Sequence, residues 1–289
     1  MADHGHYQAA GGTRQGIYVM APGGRLLSSI NALDPHAVQK TLEKGLAEWN
    51  RLPGEFRKLP AGLHLDLGNR WETSFPKRGL VLVSFNRDLP ADNDPRSPAR
   101  GGWNRDHVWF SPSEVLEFLP QDQALGPGTG RKLPRPLVDR LVRFHLVDNV
   151  NGQTLPFAEE EVQGSWIISR VEAVKDHFVF LRLAGRTMAE AKGPWLMGRN
   201  DWTPEKEWPR GIKTALLGKA VFDLRRKAFT AFELVAKGVR WGRTQVNGRR
   251  DSTPGPIGFY FNLAPDRPSD RVAPAFIDLY NAGWVPKRR

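Results

Sequence analysis

Cysteine is absent from all 289 residues, and that absence excludes disulfides, thiolate nucleophiles, iron–sulfur clusters and every cysteine-containing zinc site. Long apolar runs are missing too. No segment approaches the roughly 18 consecutive apolar residues of a spanning helix, and Met1-Ala2-Asp3-His4-Gly5-His6 has no apolar stretch of the secretory kind. The chain therefore reads as soluble, and cytoplasmic by default. The seven histidines form no His-Glu-x-x-His pair, and no serine sits in Gly-x-Ser-x-Gly. His4 and His6 share a terminal stretch, while His64-Leu65-Asp66 and Asp106-His107 are ordinary local pairs. Gly126-Pro127-Gly128-Thr129-Gly130-Arg131-Lys132 lacks the glycine spacing and the hydroxyl of a phosphate-binding loop, and Pro134 follows it, so it reads as a plain loop. No metal and no cofactor are expected.

What is present is a β-rich pattern. Hydrophobic residues make up 40% of the chain and aromatics 10%, the composition of a folded domain. In Ser165-Trp166-Ile167-Ile168-Ser169-Arg170-Val171-Glu172-Ala173-Val174, Trp166, Ile168 and Val174 share one face and Ser165, Ile167 and Ser169 the other. Lys175-Asp176 turns this run into His177–Leu183, which predicts a hairpin. Leu216–Asp223 and Phe229–Ala236 flank the polar loop 224–227 as a second pair, and Ile257–Leu263 is a last strand after Pro-Gly-Pro. Gly79–Phe85 is a further strand. Pro90–Gly102 and Gln121–Arg131 read as loops, and the apolar spacing of Leu137, Val138, Leu141 and Val142 predicts a helix over 133–143.

Near the N-terminus, Gln15–Met20 and Arg25–Ile30 flank the turn Ala21-Pro22-Gly23-Gly24. Asp34-Pro35 opens a helix, with aspartate as N-cap and proline where its missing donor costs nothing. Val38, Leu42, Leu46 and Trp49 give that helix one apolar face. This strand–turn–strand–helix order, carrying Gly16-Ile17-Tyr18-Val19 and Pro22-Gly23-Gly24-Arg25-Leu26-Leu27, resembles the C-terminal half of a thioredoxin-like domain over about residues 13–52. The Cys-x-x-Cys element is missing, so the resemblance brings no disulfide exchange. Either the chain starts late in such a domain or the segment serves for docking. Residues 133–264, with Arg143-Phe144-His145-Leu146-Val147-Asp148-Asn149, Leu217–Asp223 and Phe229–Ala236, resemble an uncharacterised family of bacterial proteins, some of them joined to a thioredoxin-like segment. That resemblance implies a shared fold and no activity. The expected architecture is α+β: a thioredoxin-like segment at 1–52, then a β-rich domain at 53–289 built as an antiparallel barrel or sandwich with one supporting helix.

Formal net charge is +11, and residues 205–250 hold twelve Lys or Arg against four Asp or Glu. An anionic partner is one reading of this excess, and a solvated basic face is the other. Two clusters are candidate sites. Arg143, His145, Asp148 and Asn149 interrupt an apolar stretch, where strand spacing would put Arg143 and His145 on one face and His145 with Asp148 could form an acid–base pair. The same residues would also serve as hydrogen-bonding partners of a buried loop. Arg240, Trp241 and Arg243 could edge an opening of the β structure and take an anionic or stacking ligand, or Trp241 could plug the β core. The expected function is a non-catalytic binding module for a small molecule or protein. An enzyme using His145 and Asp148, and a weak non-specific nucleic-acid or anion binder through 205–250, are the alternatives.

Overall fold

A computed structural model describes residues 16–32, 34–62, 74–90, 103–120, 124–152, 154–191, 209–244, 247, 249 and 252–280. The chain divides into two compact units, residues 1–67 and 68–289.

The first unit is a hairpin of β1 (Ile17–Met20) and β2 (Leu26–Ile30) with α1 (Pro35–Arg51) beside it. Asp34 Oδ1 accepts from the Ala37 amide at 2.8 Å, the N-cap that Asp34-Pro35 predicts. The packed face of α1 differs from the expected one. Leu42 and Leu46 are 49% and 60% exposed, and Thr41 and Gly45 face the hairpin instead. A Cβ on Gly45 would lie 2.7 Å from Val19 Cγ1, and the Ser28 hydroxyl donates to the Thr41 carbonyl at 2.7 Å. Small residues let the helix approach the hairpin closely, and that geometry overrides the leucine spacing.

The second unit is one open antiparallel sheet. Its strands are β3 (Leu80–Asp88), β4 (Trp103–Phe110), β5 (Gly130–Lys132), β6 (Val162–Lys175), β7 (Phe178–Ala191), β8 (Arg210–Asp223), β9 (Ala228–Gly242) and β10 (Gly255–Leu263). They lie in the order β4-β3-β10-β9-β8-β7-β6-β5. The expected barrel or sandwich is therefore not formed: β4 and β5 are the two edges and do not pair with each other. The β4 edge is guarded by the C-terminal segment, a usual protection for an unpaired strand. Asp270 binds Arg105 on one face of β4 at 2.9 Å, and Asp106 on the other face accepts from the Ala275 amide at 3.0 Å.

One face of this sheet is covered by α2 (Pro112–Leu116), α3 (Arg135–Arg140), the wide π turn Leu141–His145 and residues 276–280. Beneath them Phe118 meets Phe110, Phe229 and Phe232 edge-on at centroid distances of 5.5–5.9 Å, the arrangement aromatic quadrupoles prefer. Arg140, 2% exposed, binds both carboxylate oxygens of Glu114 and lies 4.6 Å over the Tyr280 ring. Glu114 also completes the capping box of α2 with Ser111.

Along β6 the buried side chains are Ile167, Ser169 and Val171, while Trp166 and Ile168 are half-buried and Val174 is exposed. The strand thus buries the face opposite to its larger apolar residues. Both faces of this sheet carry apolar side chains, so bulk alone does not mark the inner one. Of the two expected loops, residues 91–102 lie outside the described residues, and Gly130–Lys132 of the second is an edge strand paired with β6.

Candidate functional site

The cluster around residue 145 is not arranged as the spacing suggests. Arg143 and His145 lie in the π turn, closed by the Leu146 amide on the Leu141 carbonyl at 2.7 Å, and not on a strand. The turn separates their side chains. Arg143 bridges outward to the Phe157 carbonyl at 2.8 Å and to Glu159 at 2.9 Å. His145 points inward, where Nε2 meets the Tyr280 hydroxyl at 2.5 Å and Nδ1 lies 3.3 Å from Asp106 Oδ2. Asp148 is not its partner. Arg249 holds Asp148 in two bonds of 2.6 and 2.8 Å and Asp88 in two of 2.5 and 2.9 Å. Burial opposes the charge on Arg249, but the bonds to Asp148 and Asp88 outweigh it and raise its pKa above the ordinary arginine value. Asn149 accepts from the Thr154 amide at 2.9 Å and so closes a loop.

Asp106, His145 and Tyr280 lie next to one another, but Nδ1 of His145 makes no hydrogen bond to Asp106, and the cluster is enclosed. The His145 side chain is fully buried, and burial pushes the Tyr280 phenol well above its usual pKa. The adjoining space, bounded by Ser84, Asn86, Asn104 and Asp106, measures about 10 Å³, about one water in size. No substrate fits there. The cluster anchors the C-terminal segment across the sheet.

The second expected site is also divided. Arg240 and Trp241 are neighbours on a strand and so face opposite ways. Arg240 lies on the covered side, donating to the Thr253 carbonyl at 2.8 Å with Asp88 3.9 Å away. Trp241 lies on the open side, half-buried, with its indole against Gly211 on β8: a Cβ there would fall 2.1 Å from the ring. It rests on its cross-strand neighbour and does not plug the core. Arg243 is half-buried just beyond β9.

The arrangement not anticipated from sequence is the open face of the sheet. Strand registers align three rows across it. One row runs Trp166, Arg186, Ala215, Lys237, Gly258, Arg87, Trp103. Beside it runs an apolar row of Ile168, Ala184, Leu217, Val235, Tyr260 and Phe85, and on the far side of that lie Arg170, Arg182 and Lys219. With Arg105, Lys175 and Lys213, the described residues of this face present nine exposed cations, of which Arg105 is bound to Asp270, against the carboxylates of Glu172, Glu190 and Glu233. Two of those carboxylates are engaged, Glu172 with Arg182 at 3.3 Å and Glu233 with the Tyr260 hydroxyl at 3.0 Å. Two shallow grooves indent the face. One, of about 550 Å³, is walled by Phe85, Arg87, Leu89, Trp103 and Tyr260 over Gly258. The other, of about 660 Å³, is walled by Arg186, Met188, Lys213, Lys237 and Val239.

Comparison of the chain with family models, curated proteins and solved structures gives no match. Among the described residues, no helix is long and apolar enough to cross a membrane.

Proposed function

We propose that the second unit is a non-catalytic binding module for an anionic partner, and that the partner lies on the open face of the sheet. The observation that carries this reading is the alignment of exposed cations, Arg87, Arg186 and Lys237 in one row and Arg170, Arg182 and Lys219 in another, on a face with few carboxylates. Arg170, Arg182 and Lys219 are direct cross-strand neighbours, like charges held side by side at a cost in self-repulsion that an anion relieves. An enzyme built on His145 is disfavoured by the enclosure of that residue and the lack of room beside it. The hairpin and helix of the first unit stay consistent with a thioredoxin-like segment that has no thiol chemistry of its own.

The test is retention of the whole chain on immobilised heparin, eluted with salt. Wild type is expected to bind and to elute late. Lys213→Glu with Lys237→Glu, both exposed, should elute markedly earlier with unchanged circular dichroism. Retention that the pair leaves unaltered would refute the assignment of this face.

A further inference from the structure

We infer that the occupant of the open face is a single-stranded nucleic acid, its bases on the aromatic groove and its phosphates over the cationic one. This rests on the anion-binding reading above and adds the chemistry of the partner. Cations alone would suit any polyanion, but here they are interleaved with rings. Trp103 is 64% and Tyr260 37% exposed, and Phe85 lies 5.7 Å from Trp103, centroid to centroid, in the same groove. A sulfated sugar or a polyphosphate would use the cations and leave these rings idle. Unpaired bases stack on them, because every base has a π face.

The two grooves are neighbours. Lys237 pairs with Gly258 across adjacent strands, so the cationic wall of one groove stands about 4.8 Å from the floor of the other. Gly258 has no side chain of its own, and Leu89 packs over it as one wall of the groove. A base stacked on Trp103 and Phe85 would keep its own or its neighbour's phosphate within reach of Arg87 and Lys237. The row from Trp166 to Trp103 crosses seven strands and spans roughly 29 Å at that spacing, room for roughly eight stacked nucleotides at 3.4 Å each. A second copy of the chain, face to face, would set these cations against their own kind and is disfavoured.

The experiment is fluorescence anisotropy with a labelled oligo(dT) of roughly twelve nucleotides and its oligo(U) counterpart, run on wild type, Trp103→Ala and Lys213→Glu/Lys237→Glu. Heparin and anionic phosphatidylglycerol vesicles serve as competitors. Affinity should fall with salt at a log–log slope of about −0.7 per neutralised phosphate. Trp103→Ala should weaken oligonucleotide binding by roughly 5- to 150-fold, the worth of one stacked base, while heparin retention stays the same. Oligonucleotide binding that Trp103→Ala leaves intact would overturn the inference. So would heparin or vesicle binding with no oligonucleotide binding, and in that case the anion-binding reading survives. If no polyanion binds, both fall.

Discussion

The two faces of the large sheet are made from the same strands and behave as different materials. On β8 Ile212, Thr214, Leu216, Gly218 and Ala220 are buried, and Lys213, Ala215, Leu217 and Lys219, alternating with them, are exposed. The covered face has helices, a π turn and the C-terminal segment packed on it, with Arg140 bound to Glu114 and Arg249 to Asp88 and Asp148. The open face has apolar residues of similar size, yet Leu217 and Val235 remain 48% and 49% exposed. Hydrophobicity therefore does not decide which face is core. What decides it is which face the connecting segments return to. The face left open carries the cations, and that points to a role outside folding.

The sharpest test of this contrast is to remove one large side chain from the covered face. Phe261 is fully buried and Phe232 is 3% exposed, so Phe261→Ala should cost about 3–5 kcal/mol, the range for emptying a packed aromatic site. Urea unfolding should show a clear fall in midpoint. If the midpoint holds, the face is not core.

A comparable loss is expected where the covered side is pinned by charge. Arg249→Met leaves Asp88 and Asp148 together in a largely buried setting with their shared cation gone, and breaking a buried pair in this way costs about 3–5 kcal/mol. Asp88→Asn combined with Asp148→Asn in the same background should recover part of it, because the uncompensated charges are then removed. A double variant no more stable than Arg249→Met would show that the clamp acts through something other than charge.

Much of the fold was legible in the sequence, and the parts that were share a cause. The hairpins β6–β7 and β8–β9 and the capped helix α1 are set by residues close in sequence: turn positions 175–176 and 224–227, and Asp34-Pro35. What was not legible is set by distant pairing. β3 joins β10 from Leu82↔Leu263 to Asp88↔Ile257, which places Arg87 and Phe85 in line with Lys237 and Val235 across Gly258 and Tyr260, and no local pattern announces that neighbourhood. The same holds for Tyr280, 135 residues from His145 in sequence, and for Arg249, 101 residues from Asp148. A signal for the open face was nonetheless present: basic residues at even spacings that share one face of a strand, four apart in Arg182 and Arg186 and six apart in Lys213 and Lys219. Summed as net charge over 205–250, that spacing disappears from view.

A smaller effect separates the buried polar cluster from the solvated surface by pH. Burial raises the Tyr280 pKa in the folded state above its unfolded value of 10.0. Above pH 10 the unfolded chain loses this proton while the folded one keeps it, so its contribution to stability is complete below pH 10 and declines above, at about 1.4 kcal/mol per pH unit. Tyr280→Phe has no proton to lose. The fall in melting temperature between pH 9 and 11 should thus be steeper in wild type than in Tyr280→Phe. Parallel curves would mean that the phenol is not held apart from water.

The smallest expected effect is on the open face. Leu217 and Val235 pair across β8 and β9 in the middle of the apolar row, and on a covered face their loss would open a cavity. Here each is about half exposed, so Leu217→Thr and Val235→Thr give up little burial. Threonine has the β-branched shape that suits a strand, which Val235 already has and Leu217 does not. Each should change unfolding free energy by less than about 0.5 kcal/mol, as surface substitutions usually do, and the pair should be additive or nearly so. Neither residue lines either groove, so binding of the oligonucleotide should change little as well. A loss of stability of about 2 kcal/mol or more would show instead that this face is covered in the intact chain, and would remove the surface on which the proposed partner rests.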